Sequence, residues 1–342
     1  MFFLGPLNST YRLELRVTLA VLSVSFVAAS MLARLYFNWF MRAIYAIAAL
    51  WLGFVNFFFL AAFACWIAYV SSALFGIHLE RRLIAAVFFG AAFFLGSYAL
   101  INAARTRVKR ITIALSKLPH SWRGRTAALV SDLHLGHLRN RGFLRRVVGT
   151  LHELRPDILF VPGDLFDGTE IDAAHITEPW AGFSPPLGKF FVTGNHEQFS
   201  SPDRFLGVVK QSGFRVLENE KVVVEGMQIV GVHYRDSTNP ERCRSILKHA
   251  ALNPDVASIL LIHTPDRIPV AAEEGITLQL SGHTHRGQFF PFTLMVSRIY
   301  GKFAYGLNRM DNLQVYTSCG AGTWGPPMRL GSNPEIVLIR FE

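Results

Sequence analysis

Five short motifs hold most of the residues in this chain that could act together chemically. They are Asp132-Leu-His134, Gly163-Asp164-Leu-Phe-Asp167, Gly194-Asn195-His196-Glu197, a single His263 ahead of Thr-Pro-Asp, and Gly282-His283-Thr-His285. In D-x-H both side chains fall on one side of an extended segment, because side chains alternate with period two. Each motif alone is compatible with an ordinary turn. Together they supply hard carboxylates and borderline imidazoles, a donor set suited to Mn, Fe, Zn or a similar divalent ion. Such a set reads as a two-metal site. Two metals roughly 3.5–4 Å apart stabilise attacking and leaving oxygens and generate hydroxide near neutral pH, which is chemistry for phosphate esters. Cys65, Cys243 and Cys319 belong to no motif, so a cysteine-held zinc is excluded.

The elements that must position these residues are legible in the pattern of apolar runs. Strands are predicted at Thr126–Ser131, Asp157–Pro162, Lys189–Thr193, Ser258–Ile262, Thr277–Leu280, Asn312–Thr317 and Glu335–Phe341, with two more in Val222–Val232 around Glu225-Gly226. Helices are predicted at Asn140–Leu154, Asp203–Gln211 and Glu241–Leu252; the first carries the stripe Phe143, Leu144, Val147, Val148, Leu151 and Leu154. Every motif follows the carboxyl end of a predicted strand, where open α/β sheets bind ligands. Five such ends in one chain point to one site.

With these motifs in this order, residues 110–342 resemble the calcineurin-like metallophosphoesterases. The resemblance implies an αββα sandwich of two sheets with flanking helices. It implies that Asp132, His134 and His285 hold one metal, that Asn195, His263 and His283 hold the other, and that Asp164 bridges them. His196 would protonate the leaving group or hold the phosphate. Asp167 is read as a hydrogen-bond partner of a ligand. The tail from Gly320 to Arg329, followed by Asn333-Pro-Glu335, resembles the membrane-attached or exported bacterial branch. That branch leads us to expect glycine after G-H-T-H, where this chain has Arg286. Arg286 is open to two roles, contact with substrate phosphate or capping of the loop. Arg329 is likewise open between a phosphate contact and a structural ion pair.

The first third of the chain is of another kind. Val17–Ala33, Ala43–Ile77 and Leu83–Ala104 carry no charged residue, and about 20 apolar residues suffice to cross a bilayer. Three spans are expected, near 15–37, 42–72 and 83–104, with a broken pair as the alternative for the long middle run. Of 342 residues 51% are hydrophobic and 17% charged, which excludes a disordered chain. The net charge of +10 is unevenly placed. Residues 105–125 hold seven basic side chains and no acidic one, whereas 126–342 are nearly balanced. A nucleic-acid binder would carry its basic surface on the folded domain, so no nucleic-acid partner is expected.

Basic residues flanking the spans set orientation. Arg34, Arg42 and the 105–125 cluster fall on one side and Arg12, Arg16, Arg81 and Arg82 on the other, which predicts a cytoplasmic catalytic domain on a bacterial inner-membrane protein. The chain therefore divides into spans (1–104), a basic junction with the first strand (105–125) and a phosphoesterase domain (126–342). The function expected is hydrolysis of phosphodiester or pyrophosphate bonds by a metal-bridging hydroxide, on a lipid-linked substrate beside the bilayer. A UDP-diacylglucosamine pyrophosphohydrolase and a non-catalytic metal-bound sensor or scaffold are the alternatives. Phe289-Phe290-Pro-Phe292 is open to lining an acyl groove, inserting in the interface, or being a buried loop.

Overall fold

Hydropathy alone dictates the first three elements. The computed structural model describes residues 9–199 and 202–342. In it, α1 (Ser9–Ala33), α2 (Trp39–Leu74) and α3 (Arg81–Ala103) are the three helices, among the described residues, long and apolar enough to cross a membrane. The first starts and ends earlier than the span expected near 15–37. The middle run is one unbroken helix, started by Asn38, whose side chain accepts from the Met41 amide. The helices pack in sequence, α2 against both α1 and α3. Small residues at the contacts allow close approach: a Cβ on Gly96 would strike the Phe54 ring.

The rest of the chain builds two six-stranded sheets. The first contains β1 (Arg107–Ile113), β2 (Thr126–Leu129), β3 (Ile158–Pro162), β4 (Lys189–Val192), β5 (Phe214–Val216) and, between β1 and β2, the last strand β12 (Glu335–Phe341). The second runs β6 (Glu220–Val224), β7 (Met227–Gly231), β8 (Ser258–Leu261), β9 (Leu278–Ser281), then β11 (Leu313–Thr317) and β10 (Gly306–Met310). The strands that precede the motifs (β2, β3, β4, β8, β9) lie in the parallel parts of the sheets. They are buried almost throughout, as parallel strands covered on both faces must be.

Alternation along the strands creates three apolar layers. Ala127, Leu129, Phe160 and Val192 of one sheet meet Ile229, Ile259, Leu261 and Leu280 of the other. The outer face of the first sheet is covered by α4 (Arg141–Leu154), α5 (Ala173–Thr177) and α6 (Pro202–Gln211). The outer face of the second is covered by α8 (Pro240–His249) and α9 (Ile268–Glu273), with the single turn α7 (Tyr234–Ser237) ahead of them. The order helix, sheet, sheet, helix is the expected αββα sandwich. In α4, Asn140 caps the start by accepting from the Gly142 and Phe143 amides, and the expected stripe from Phe143 to Leu151 is buried.

Six named elements had no sequence signal strong enough to be read: β5, β10, the short helices α5, α7 and α9, and α10 (Phe292–Tyr300). The last was obscured because the Phe-rich segment before it reads as apolar with no helical period. No residue of α10 is buried. The sandwich sits on the helices at one end of the bundle. The Glu170 amide donates to the Ala33 carbonyl, the Arg329 amide donates to that of Ala99, and Arg139 reaches the Ala103 carbonyl. The ends of α1 and α3 and the start of α2 therefore face the domain.

Candidate metal centre

Each motif leaves its strand through a tight turn, and the turns converge. Asp132, His134, Asp164, His283 and His285 all adopt left-handed backbone conformations, with φ between 46° and 70°. Such conformations cost non-glycine residues about 1–3 kcal/mol each and persist only where the surroundings impose them. The glycines beside them are demanded by close approach. A Cβ on Gly194 would collide with the Asp164 carboxylate, and one on Gly282 with Ser131 and Asp132.

The seven expected ligands all reach the site. The His134 and His285 Nε2 atoms are 3.0 Å apart, and His285 Nε2 is 3.6 Å from Asp132 Oδ1. Asn195 Oδ1 lies 3.0 Å from both His263 Nε2 and His283 Nδ1, which are themselves 3.2 Å apart. Asp164 Oδ2 lies between the two groups, 3.7 Å from His134 Nε2 and 3.2 Å from His263 Nε2. Three overlapping groups bring their possible ligand atoms within 4.8 Å of one another: Asp132, His134 and His285; Asp164, His263 and His283; and His134, Asp164 and His196.

The electrostatics call for positive charge at this point. His263 Nδ1 lies 2.8 Å from the Pro162 carbonyl, to which it must donate. A neutral His263 therefore turns a lone pair toward Asn195 Oδ1 and Asp164 Oδ2, an arrangement only a proton or a cation can balance. Burial opposes charge at His263, yet the Asp164 carboxylate raises it to about 10. Burial works against the Asp164 anion as well, but His263, His196 and His134 hold its pKa well below the usual range. Burial and His263 press His283 down to about 3, and burial with the Arg329 charge lowers His285. Their nitrogens are thus available as lone-pair donors. These residues fit divalent metal ions.

Around the ligands stand residues whose roles the sequence left undecided or silent. Asp167 Oδ1 is 3.4 Å from His134 Nδ1, its carbonyl is 3.0 Å from His196 Nδ1, and its Oδ2 accepts from Tyr45 of α2 at 3.3 Å. Asp167 thus stands beside both His134 and His196. Arg329 is fully buried, forms no ion pair among the described residues, and does not line the cavity over the ligand cluster. Its guanidinium holds His285 Nδ1 and the His285 carbonyl at 3.0 Å and the Gly322 carbonyl at 2.6 Å. Arg286 is exposed, stacks 4.8 Å over the Tyr305 ring, and lies outside the cavity.

Glu197 is the residue that sequence reasoning passed over. Its carboxylate accepts from the amides of Asp164, Gly194 and Phe166 at 3.0, 2.7 and 3.1 Å, joining two motif loops. Burial and the Asp164 charge raise it to about 7 against the pull of those amides. Its place in G-N-H-E was the one available signal.

Fold and site together define a metal-dependent phosphoester hydrolase domain. The profile of the calcineurin-like phosphoesterases matches residues 126–287. A transmembrane protein with a metallophosphoesterase domain from Danio rerio is 33% identical over 263 residues, 72% of this chain and 60% of that protein. An uncharacterized metallophosphoesterase of Aquifex aeolicus is 32% identical over 263 residues, 73% of this chain and 97% of its own length. One from Helicobacter pylori is 31% identical over 245 residues, spanning 70% of this chain and 64% of that protein. The chain thus spans less than two thirds of two of these three relatives. It belongs to the calcineurin-like phosphoesterase family.

Proposed function

We propose that this protein is a membrane-anchored phosphoesterase that holds two divalent ions and hydrolyses a phosphodiester or pyrophosphate bond of a lipid-linked substrate. The observation that carries the reading is the position of Asp164 Oδ2 between two ligand groups. Asp132, His134 and His285 would hold one ion and Asn195, His263 and His283 the other, with Asp164 within reach of either. When bound, such a pair supplies Lewis acidity toward phosphoryl oxygens and a nucleophile at neutral pH. His196 lies along the cavity with Nδ1 turned to the Asp167 carbonyl. Its Nε2 is therefore the atom that faces the phosphate, and it gives a proton to the leaving oxygen from the doubly protonated ring. Residues 1–104 anchor the chain, and the basic junction at 105–125 keeps the domain against anionic lipid on the cytoplasmic side.

The test is metal analysis of the detergent-purified protein, paired with hydrolysis of bis-para-nitrophenyl phosphate and of para-nitrophenyl phosphate under manganese. About two metals per chain with diester turnover support the reading. One metal or none, with no turnover after manganese is restored, removes it in favour of a binding module.

A further inference from the structure

The cavity over the ligand cluster is about 740 Å³ and is lined by candidate ligands together with many apolar side chains. His134, Asp164, Asn195 and His283 are among the former. Leu52, Val55 and Phe59 of α2 form one wall, and Phe292, Met295 and Val296 at the start of α10 form the other. A water-soluble phosphoester would leave those walls unused.

The height of the groove along α2 fixes what reaches it. This helix has 36 residues, whereas the hydrocarbon layer takes about 20. Arg81, hydrogen-bonded to Tyr69, marks the interface far from the domain. Counting about 20 residues back from Tyr69 arrives near Leu50. Leu52 to Phe59 therefore lie just inside the hydrocarbon layer on the domain side. At the same level α10 exposes Leu294, Met295 and Ile299, each more than half accessible. Asn56 ties this segment to α2 by donating to the Phe290 carbonyl at 2.9 Å. A short helix with an uncovered apolar face beside a span is suited to lie in the membrane interface.

We propose that substrate enters sideways from the domain-side leaflet, between α2 and α10. Its phosphate rests over the ligand cluster and its alkyl chain lies against the two walls. The substrate class is a phospholipid-like phosphodiester with the chain close to the phosphate. This inference rests on the phosphoesterase reading. The reaction is hydrolysis: an oxygen of water joins phosphorus, the bond to one ester oxygen breaks, and that oxygen takes up the proton.

The test uses the full-length protein in nanodiscs with manganese and para-nitrophenyl phosphodiesters carrying a methyl, butyl or octyl group. Each methylene buried in the groove is worth about fourfold in affinity, so KM is expected to fall by at least about a hundredfold from methyl to octyl. Met295→Glu on α10 and Val55→Trp on α2 should each shrink that methyl-to-octyl ratio at least about tenfold. Partition into the nanodisc lipid is common to all variants and cancels in the comparison. Equal KM across the series, or an unchanged ratio in both variants, overturns the groove. If none of the esters is hydrolysed, the phosphoesterase reading falls instead. Calorimetric binding of octyl phosphate against ethyl phosphate then decides the groove by itself: a preference for octyl that both variants weaken supports it, and equal binding ends it.

Discussion

Arg329 Nη2 lies 3.0 Å from Nδ1 of His285, and Nη1 lies 3.0 Å from the carbonyl oxygen of the same residue. One buried guanidinium thus fixes both the ring and the backbone of a histidine held at φ 46°. The grip on Nδ1 leaves Nε2 as the nitrogen turned toward His134 and Asp132. Arg329 is in turn held by α3: its amide donates to the Ala99 carbonyl, and its carbonyl accepts from Asn102. A membrane helix is therefore two residues away from a candidate ligand.

Arg329→Lys should keep the charge and lose the fork. Partners that orient a metal-bound histidine are worth about 10–100-fold in metal affinity or activity, so a loss in that range is expected. Metal titration of the variant checks it. Unaltered affinity would mean the clamp has no bearing on the site.

Tyr45→Phe and Asn102→Ala probe the same coupling from the helices. Tyr45→Phe removes one hydrogen bond to Asp167, worth about 1 kcal/mol, and should lower turnover by less than about tenfold. The Asn102 amide donates at 3.0 Å to the carbonyls of both Arg329 and Ser332. Its loss leaves buried acceptors bare at about 1–3 kcal/mol each. Thermal unfolding and turnover of the two variants, measured side by side, should show the larger stability loss for Asn102→Ala.

His196→Ala should lower kcat by about 10²–10⁴-fold, the usual range for a positioned proton donor. Metal content should stay as it is, because the contact of this residue with Asp164 is made by the backbone amide at 2.9 Å. Wild-type turnover in the variant would sink the role given to this side chain.

Glu197→Gln replaces a carboxylate that accepts three amides with a group that must turn a donor toward at least one of them. A loss of about 1–3 kcal/mol is expected for each donor left unpaired. The two motif loops should loosen together, so denaturant unfolding and metal occupancy should fall in the same variant. Loss of stability with full metal occupancy would confine Glu197 to the fold.

Chelation should lower the unfolding temperature, because lone pairs and carboxylates now gathered at 3.0–3.7 Å would face each other without a cation. Free metal at a hundred times its Kd stabilises by about 2.7 kcal/mol, so manganese should restore the transition. Calorimetry with and without chelator measures both steps.

The three spans, most of the strands and the motif residues were legible because their signals are local, whereas the αββα architecture was expected only through the resemblance those motifs carry. A strand of four buried residues followed by Gly-Asp or Gly-Asn-His announces itself within ten positions, and an apolar run needs no partner to be recognised. What a local pattern cannot carry is the meeting of distant segments. Arg329 is 44 residues from His285, and Tyr45 is 122 from Asp167. Neither pairing has a periodicity or a motif. The left-handed turns at Asp132, His134 and Asp164 were equally invisible, since aspartate and histidine do not demand such backbone. Glu197 looked like one more motif residue until three amides closed on it. The groove exists only because α2 meets the segment that leads into α10, beside the motif loops. The sequence by itself determined which atoms can bind metal and which helices can cross a bilayer. The tertiary structure alone decided that the two meet, because burial of one face on another brings together side chains that the chain keeps far apart.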